Sequence, residues 1–175
     1  ARWLNLKSEQ EFRGFGVSAC ATCDGFFFKE KEVAVVGGGN AAVEEAMFLT
    51  KFASKVHLIH RRNELRAEKM LQEKLKANKK IKIIWDSAVS EVVGTSEPKV
   101  VNALKIKNLK TNNISELKID GLFIAIGHDP ATELFKNQLK MDKEGYLITK
   151  PDSTETNIPG VFAAGDVKIK FSDKQ

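Results

Sequence analysis

Cys20 and Cys23 are the only two cysteines in the 175-residue chain, and they stand two residues apart in the stretch SACATCDG. Side chains so spaced can share a metal, staple a loop, or trade electrons as dithiol and disulfide. A structural zinc site takes four ligands, and beyond the cysteines the chain offers three scattered histidines, so no metal site is expected. A bridge across so short a loop removes little entropy from the unfolded chain. With 42% hydrophobic residues, a chain of this length can also bury a core without a staple. Redox exchange asks only for an accessible attacking thiolate and a group that takes or gives a proton at the other sulfur. Asp24, next to Cys23, is a candidate for that acid and base, and equally a turn residue of the pair Asp24-Gly25.

A second set of residues points to a nucleotide. Gly37, Gly39 and Ala42 form Gly-x-Gly-x-x-Ala between the apolar run VAVV and the segment NAAVEEAMFLTKFA. Gly37 would permit a tight turn, Gly39 would let backbone approach a pyrophosphate, and Ala42 would let helix and strand pack closely. The helix opening at Asn40 would offer free N–H groups to the anion. The following strand, VHLIH, should end in the residue that selects the cofactor, roughly 20 residues after the glycines; an acid there would bond the ribose 2′-hydroxyl of NAD. It ends instead in His60, Arg61 and Arg62. These arginines, joined by Arg66 from the first turn of a helix that Asn63 could cap, would meet a 2′-phosphate, which favours NADPH over NADH. His60 joins the cofactor candidates by position, although it and His57 read as structural residues, strand alternation burying one of them in part. A hydride donor seldom reduces a disulfide directly, so a flavin is the expected intermediary.

The elements that must position these groups alternate strand and helix. Strands at residues 33–36, 56–60 and 81–85 and helices at 40–53 and 63–78, the second marked by Leu65, Met70, Leu71 and Leu75, argue for a parallel sheet with right-handed crossovers. The stretches SEVVG, VVNALKIKNL and ISELKIDG alternate apolar and polar residues around turn-rich linkers. They suggest an antiparallel meander carried on that sheet. LFIAIG, ending at Gly127, reads as a further buried strand, HDPATELF as a loop entering a short helix, and GYLIT and GVFAAGD as strands, the last meeting a turn at Gly165 and Asp166. The fold class is thus α/β and Rossmann-like, with three layers.

Composition excludes other classes. The net charge of +5 is spread along the chain and often matched by nearby acids, as in KEKE, and aromatic residues are 8%, so no nucleic-acid partner is expected. No apolar run approaches the ~20 residues that span a bilayer, and the N-terminal residues lack the order of a signal peptide. A soluble, cytoplasmic protein without membrane contact is the expectation. A first residue other than methionine suggests a processed product or a piece of something longer.

Taken together, SACATCDG, VAVVGGGNAAVEEA, VHLIHRRNELRAEK, LFIAIGHDP and IPGVFAAGDV resemble the bacterial low-molecular-weight thioredoxin reductases along essentially the whole chain. The resemblance implies an NADPH domain, residues 3–128, inserted into an FAD domain of which 129–175 would be a part. It makes Cys20 and Cys23 the redox-active pair and Asp24 their acid and base. Gly37, Gly39, Asn40 and Ala42 become the pyrophosphate turn, Arg61, Arg62 and Arg66 the 2′-phosphate contacts with His60 beside them, and Gly127, Gly165 and Asp166 cofactor-side positions, Asp166 toward the flavin. Electrons would pass from NADPH through FAD to the cysteines and on to thioredoxin, in an enzyme that is a homodimer at full length. The family's first flavin fingerprint and its C-terminal helix are missing, Ala131 replaces a common Asn, and Lys174-Gln175 stand where Arg-Gln is usual. An NADPH-binding module without catalysis is therefore a second reading, and a flavin-dependent dithiol oxidase a third. The flavoprotein subunit of alkyl hydroperoxide reductase and the ferredoxin-NADP reductases fit less well, the first in its cysteine motif and missing double arginine, the second in lacking the pair.

Overall fold

The computed structural model describes residues 1–168; Lys174 and Gln175 lie outside them. The chain divides into two units, Ala1–Gly127 and His128–Gln175. In the first, the elements run α1 (Lys7–Glu11), β1 (Val17–Ser18), α2 (Ala21–Asp24), β2 (Glu32–Gly37), α3 (Asn40–Leu49), β3 (Lys55–Ile59), α4 (Lys69–Ala77), β4 (Ile81–Ile84), β5 (Ser87–Ser96), β6 (Lys99–Asn108), β7 (Ile114–Lys118) and β8 (Gly121–Ala125). Five strands form a parallel sheet in the order β1-β8-β2-β3-β4, and β5-β6-β7 form an antiparallel sheet.

The continuous apolar runs of β2 and β8 follow from burial on both faces. Successive side chains of a strand point to opposite faces, so Val33 and Val35 pack with Ala42, Val43, Ala46 and Leu49 of α3 and Leu75 of α4. Ala34 and Val36, one residue out of phase, pack with Val89, Val92, Leu104 and Ile106 of the antiparallel sheet. The three layers are therefore helices, parallel sheet and meander, and the alternation along β2 assigns each residue to one of two cores. The ends of this unit meet: the Arg2 N–H donates to the Gly127 carbonyl at 2.8 Å.

Several sequence expectations change. The second helix starts at Lys69, with Glu68 at its cap, so Asn63 caps nothing and Arg66 lies in the preceding loop. That loop is held by the glycine turn rather than by helix bonds: the Arg66 and Ala67 N–H groups both donate to the Gly38 carbonyl. Met70 accordingly falls on the solvent side, 65% exposed, while Leu75 is buried. Both histidines are buried, not one, because His57 lies within β3 and His60 turns inward at its end. In the second unit, GYLIT and GVFAAGD contribute only isolated bridges, Leu147 with Met141 and Lys168, and Phe162 with Glu155. Leu134 and Phe162 are 82% and 64% exposed. The expected helix is the single 3-10 turn Glu133–Phe135. Among the described residues no helix is long and apolar enough to cross a membrane.

Glu45 is the one poor fit on α3. Its Oε2 is buried without a hydrogen-bond partner, and burial pushes the carboxyl up to about 7. A raised carboxyl contributes its full stability below the unfolded value near 4.5 and loses it as pH rises through the folded value. Glu45→Gln, which mimics the protonated form, is expected to match the original chain near pH 4.5 and to be more stable above pH 7. Urea unfolding across that range measures the difference, and a constant offset would contradict it.

Candidate active site

Both chemical motifs follow the carboxyl ends of strands in the parallel sheet. β1 ends at Ser18, two residues before Cys20, and β2 ends at Gly37; both pair with β8, Ser18 opposite Phe123 and Gly37 opposite Ala125. The strands carrying the motifs are thus two spacings apart, roughly 10 Å. The chain order reverses here, with β3 and β4 on one side of β2 and β8 and β1 on the other. Crevices at such a reversal, beyond the carboxyl ends of the strands, are where open α/β sheets bind ligands.

At β1 the two cysteines form a disulfide, with Cα atoms 5.3 Å apart. Cys20 caps α2, and its Sγ accepts a hydrogen bond from the Cys23 N–H at 3.2 Å. Cys20 is half-buried and Cys23 exposed. Ser18, which sequence reading quoted without a role, links strand to helix: its hydroxyl accepts from the Cys20 N–H at 3.0 Å and donates to Asp24 Oδ2 at 2.6 Å. Asp24 is therefore held through Ser18 rather than left as a loose turn residue. A Ser two positions before the first Cys was the available signal. Directly after the helix, Phe26 and Phe27 are 66% and 71% exposed. A groove of about 450 Å³ runs alongside, lined among others by Ser18, Asp24, Phe27 and Lys99.

At β2 the three glycines have different reasons. A Cβ on Gly37 would lie 2.4 Å from the Ala125 carbonyl oxygen and 2.5 Å from Ala42 Cβ, so the turn sits tight against β8 and α3. One on Gly39 would meet nothing within 4 Å, leaving open space where α3 begins. Gly38, outside the fingerprint and so overlooked, packs on the His60 ring, 2.2 Å from where its Cβ would be. That ring is buried and cannot yield, so Gly38→Ala should destabilise the protein by about 1–3 kcal/mol in urea unfolding; a neutral result would show the turn to be soft.

Burial holds His60 below the ordinary histidine range, against backbone hydrogen bonds at Gly37 and Glu64, and the nearby Arg66 and Arg61 push the same way as burial. The ring's buried Nε2 has no hydrogen-bond partner. It lies under the turn rather than out in solvent. Arg61, Arg62 and Arg66 are exposed, and among the described residues none of the three is ion-paired with a carboxylate. The Asn40 amide is engaged: Oδ1 accepts from the Glu68 N–H at 2.9 Å and Nδ2 donates to Glu68 Oε1 at 3.1 Å. Gly127, with φ at +109°, ends the first unit, and Gly165, with φ at +80°, lies with the exposed Asp166 in the second.

Comparison with known proteins places this arrangement. The family model for pyridine nucleotide-disulphide oxidoreductases matches residues 1–174. Thioredoxin reductase of Rickettsia felis is 59% identical over 171 residues, covering 98% of this chain and 55% of that protein. Thioredoxin reductase of Streptomyces coelicolor is 55% identical over 166 residues, covering 95% of the chain and 51% of the relative. The crystal structure of Lactococcus lactis thioredoxin reductase superposes with a TM-score of 0.85 at 42% identity, over 97% of this chain and 55% of that one. The chain spans about half the length of these relatives. It belongs to the pyridine nucleotide-disulphide oxidoreductase family, and along nearly its whole length it is similar to the thioredoxin reductases.

Proposed function

We propose that this chain is the NADPH-binding, disulfide-bearing part of a thioredoxin reductase, with residues 3–128 as the NADPH domain and 129–175 as a portion of the FAD domain. The observation that carries the reading is the placement of a disulfide and a glycine turn flanked by exposed arginines at the carboxyl ends of strands of one sheet. The residues fit a dinucleotide phosphate: open space at Gly39 for a pyrophosphate, and three exposed guanidinium groups beyond β3 for a 2′-phosphate. Gly165 and Asp166 are the residues for a flavin contact.

When bound, NADPH supplies a hydride and the flavin relays its electron pair to the disulfide. The Cys20–Cys23 bond breaks on taking up that pair and one proton, giving one thiol and one thiolate. The Cys23 N–H at Cys20 Sγ favours negative charge on that sulfur, and Asp24, oriented by Ser18, holds or releases the proton that accompanies the change. One thiolate then attacks the disulfide of a thioredoxin, and the bond between the two cysteines re-forms as thioredoxin leaves reduced. Phe26 and Phe27 beside the disulfide offer the apolar surface a protein partner would cover. The same reading carries a homodimeric whole enzyme in the cytoplasm.

Exchanging the chain into the matching segment of the Rickettsia felis enzyme tests it. The chimera is expected to reduce thioredoxin with NADPH within about tenfold of the unmodified enzyme; a folded, flavin-loaded chimera without that activity would overturn the assignment. Because the chain spans about half of its relatives, a second reading is an NADPH-binding module without catalysis. A stoichiometric flavin band in the visible spectrum of the purified chain would refute it.

A further inference from the structure

We infer that Asn40 and Glu68 form a positioning pair that sets the choice between NADPH and NADH by holding Arg66 in place, an inference that rests on the 2′-phosphate reading of the arginines. Glu68 is an anion beside a site read as one for an anion, where a free carboxylate would oppose the ligand. It is not free. Its carboxylate accepts from Asn40 Nδ2 at 3.1 Å, and its backbone N–H donates to Asn40 Oδ1 at 2.9 Å. Two residues earlier the Arg66 N–H donates to the Gly38 carbonyl at 2.7 Å, and the Ala67 N–H donates to the same oxygen at 3.2 Å.

The loop carrying Arg66 is thus fastened to the glycine turn at two successive points. The pyrophosphate half of the site and the 2′-phosphate half move as one body. This accounts for two features that the helix expectation left unexplained: α4 starts three residues after Arg66, and the first polar side chain of α3 turns toward a loop instead of the open space at Gly39. An ordered arginine forms its charge-assisted bonds at less conformational cost than one on a loose loop. NADH, lacking the 2′-phosphate, gains nothing from that order. The pair therefore favours NADPH selectively without touching it.

The test measures binding of NADP+ and NAD+ to the full chain by calorimetry. Glu68→Ala is expected to weaken NADP+ about fivefold and leave NAD+ within twofold, whereas Glu68→Gln, which keeps an oxygen for Asn40 Nδ2, stays within twofold for both. Added to Arg66→Ala, Glu68→Ala is expected to cost NADP+ nothing more, since a residue acting through another is not additive with it. Equal weakening of both dinucleotides would make the pair a support of the turn alone and overturn the inference. Tighter NADP+ binding in Glu68→Ala would do the same, showing a carboxylate that merely repels. An unaltered chain that binds the two alike, or an Arg66→Ala variant that keeps the preference, would instead remove the arginine reading itself.

Discussion

Serine at either Cys20 or Cys23, in the chimera with the Rickettsia felis enzyme, is expected to abolish NADPH-driven reduction of thioredoxin, a fall on the order of 10³-fold or more, while NADPH-driven bleaching of the flavin continues. The effect is large because the two sulfurs act as one acceptor. With one sulfur gone there is no bond to break, no second thiolate to re-form it, and no partial activity to inherit. A serine hydroxyl does not substitute, being far less nucleophilic than a thiolate at neutral pH. Persistence of flavin reduction separates the two half-reactions. Its loss in both variants would place the cysteines in the nicotinamide site and defeat the division of roles. Thioredoxin reduction measured alongside flavin absorbance under anaerobic conditions decides between these results.

The second large effect concerns cofactor choice. Alanine at Arg61, Arg62 and Arg66 together should weaken NADP+ on the order of 10²-fold while NAD+ binding changes little. Each charge-assisted bond to phosphate contributes roughly 1.5–3 kcal/mol, discounted here because all three groups are exposed and screened by water and salt. A rise in the effect at low ionic strength is part of the expectation. Equal loss of NAD+ binding would relocate the arginines' contribution to the pyrophosphate, and an unchanged preference would remove them from recognition altogether.

Much of this architecture is legible in the residues. The apolar runs of β2, β3 and β8 lie where periodicity puts them, and the tight contact of Gly37 with Ala42 and Ala125 is the steric demand that makes glycine and alanine the readable types there. Legibility stops where a tertiary bond outweighs a local propensity. The stretch NELRAEK has the composition of a helix start, yet bonds from residues 66 and 67 to Gly38 draw it into a loop. β1 was invisible because two residues, Val17 and Ser18, carry no periodicity, although they fix the disulfide on the sheet edge. Asn40 is marked by its place in the turn, but its partner Glu68 lies 28 positions on, a pairing no local pattern announces. Ser18 and Gly38 were in view as members of motifs, but a role that consists of orienting a neighbour leaves little trace in spacing alone.

The bond from Arg2 to Gly127 gives the first unit a property of a different sort. Its two ends, at Arg2 and Gly127, lie a single hydrogen bond apart, with 124 residues of sheet, helix and meander folded between them. To a host protein such a body is an insertion at one point of the chain, costing little more loop-closure entropy than a tight turn, since its own core has already drawn the two ends together.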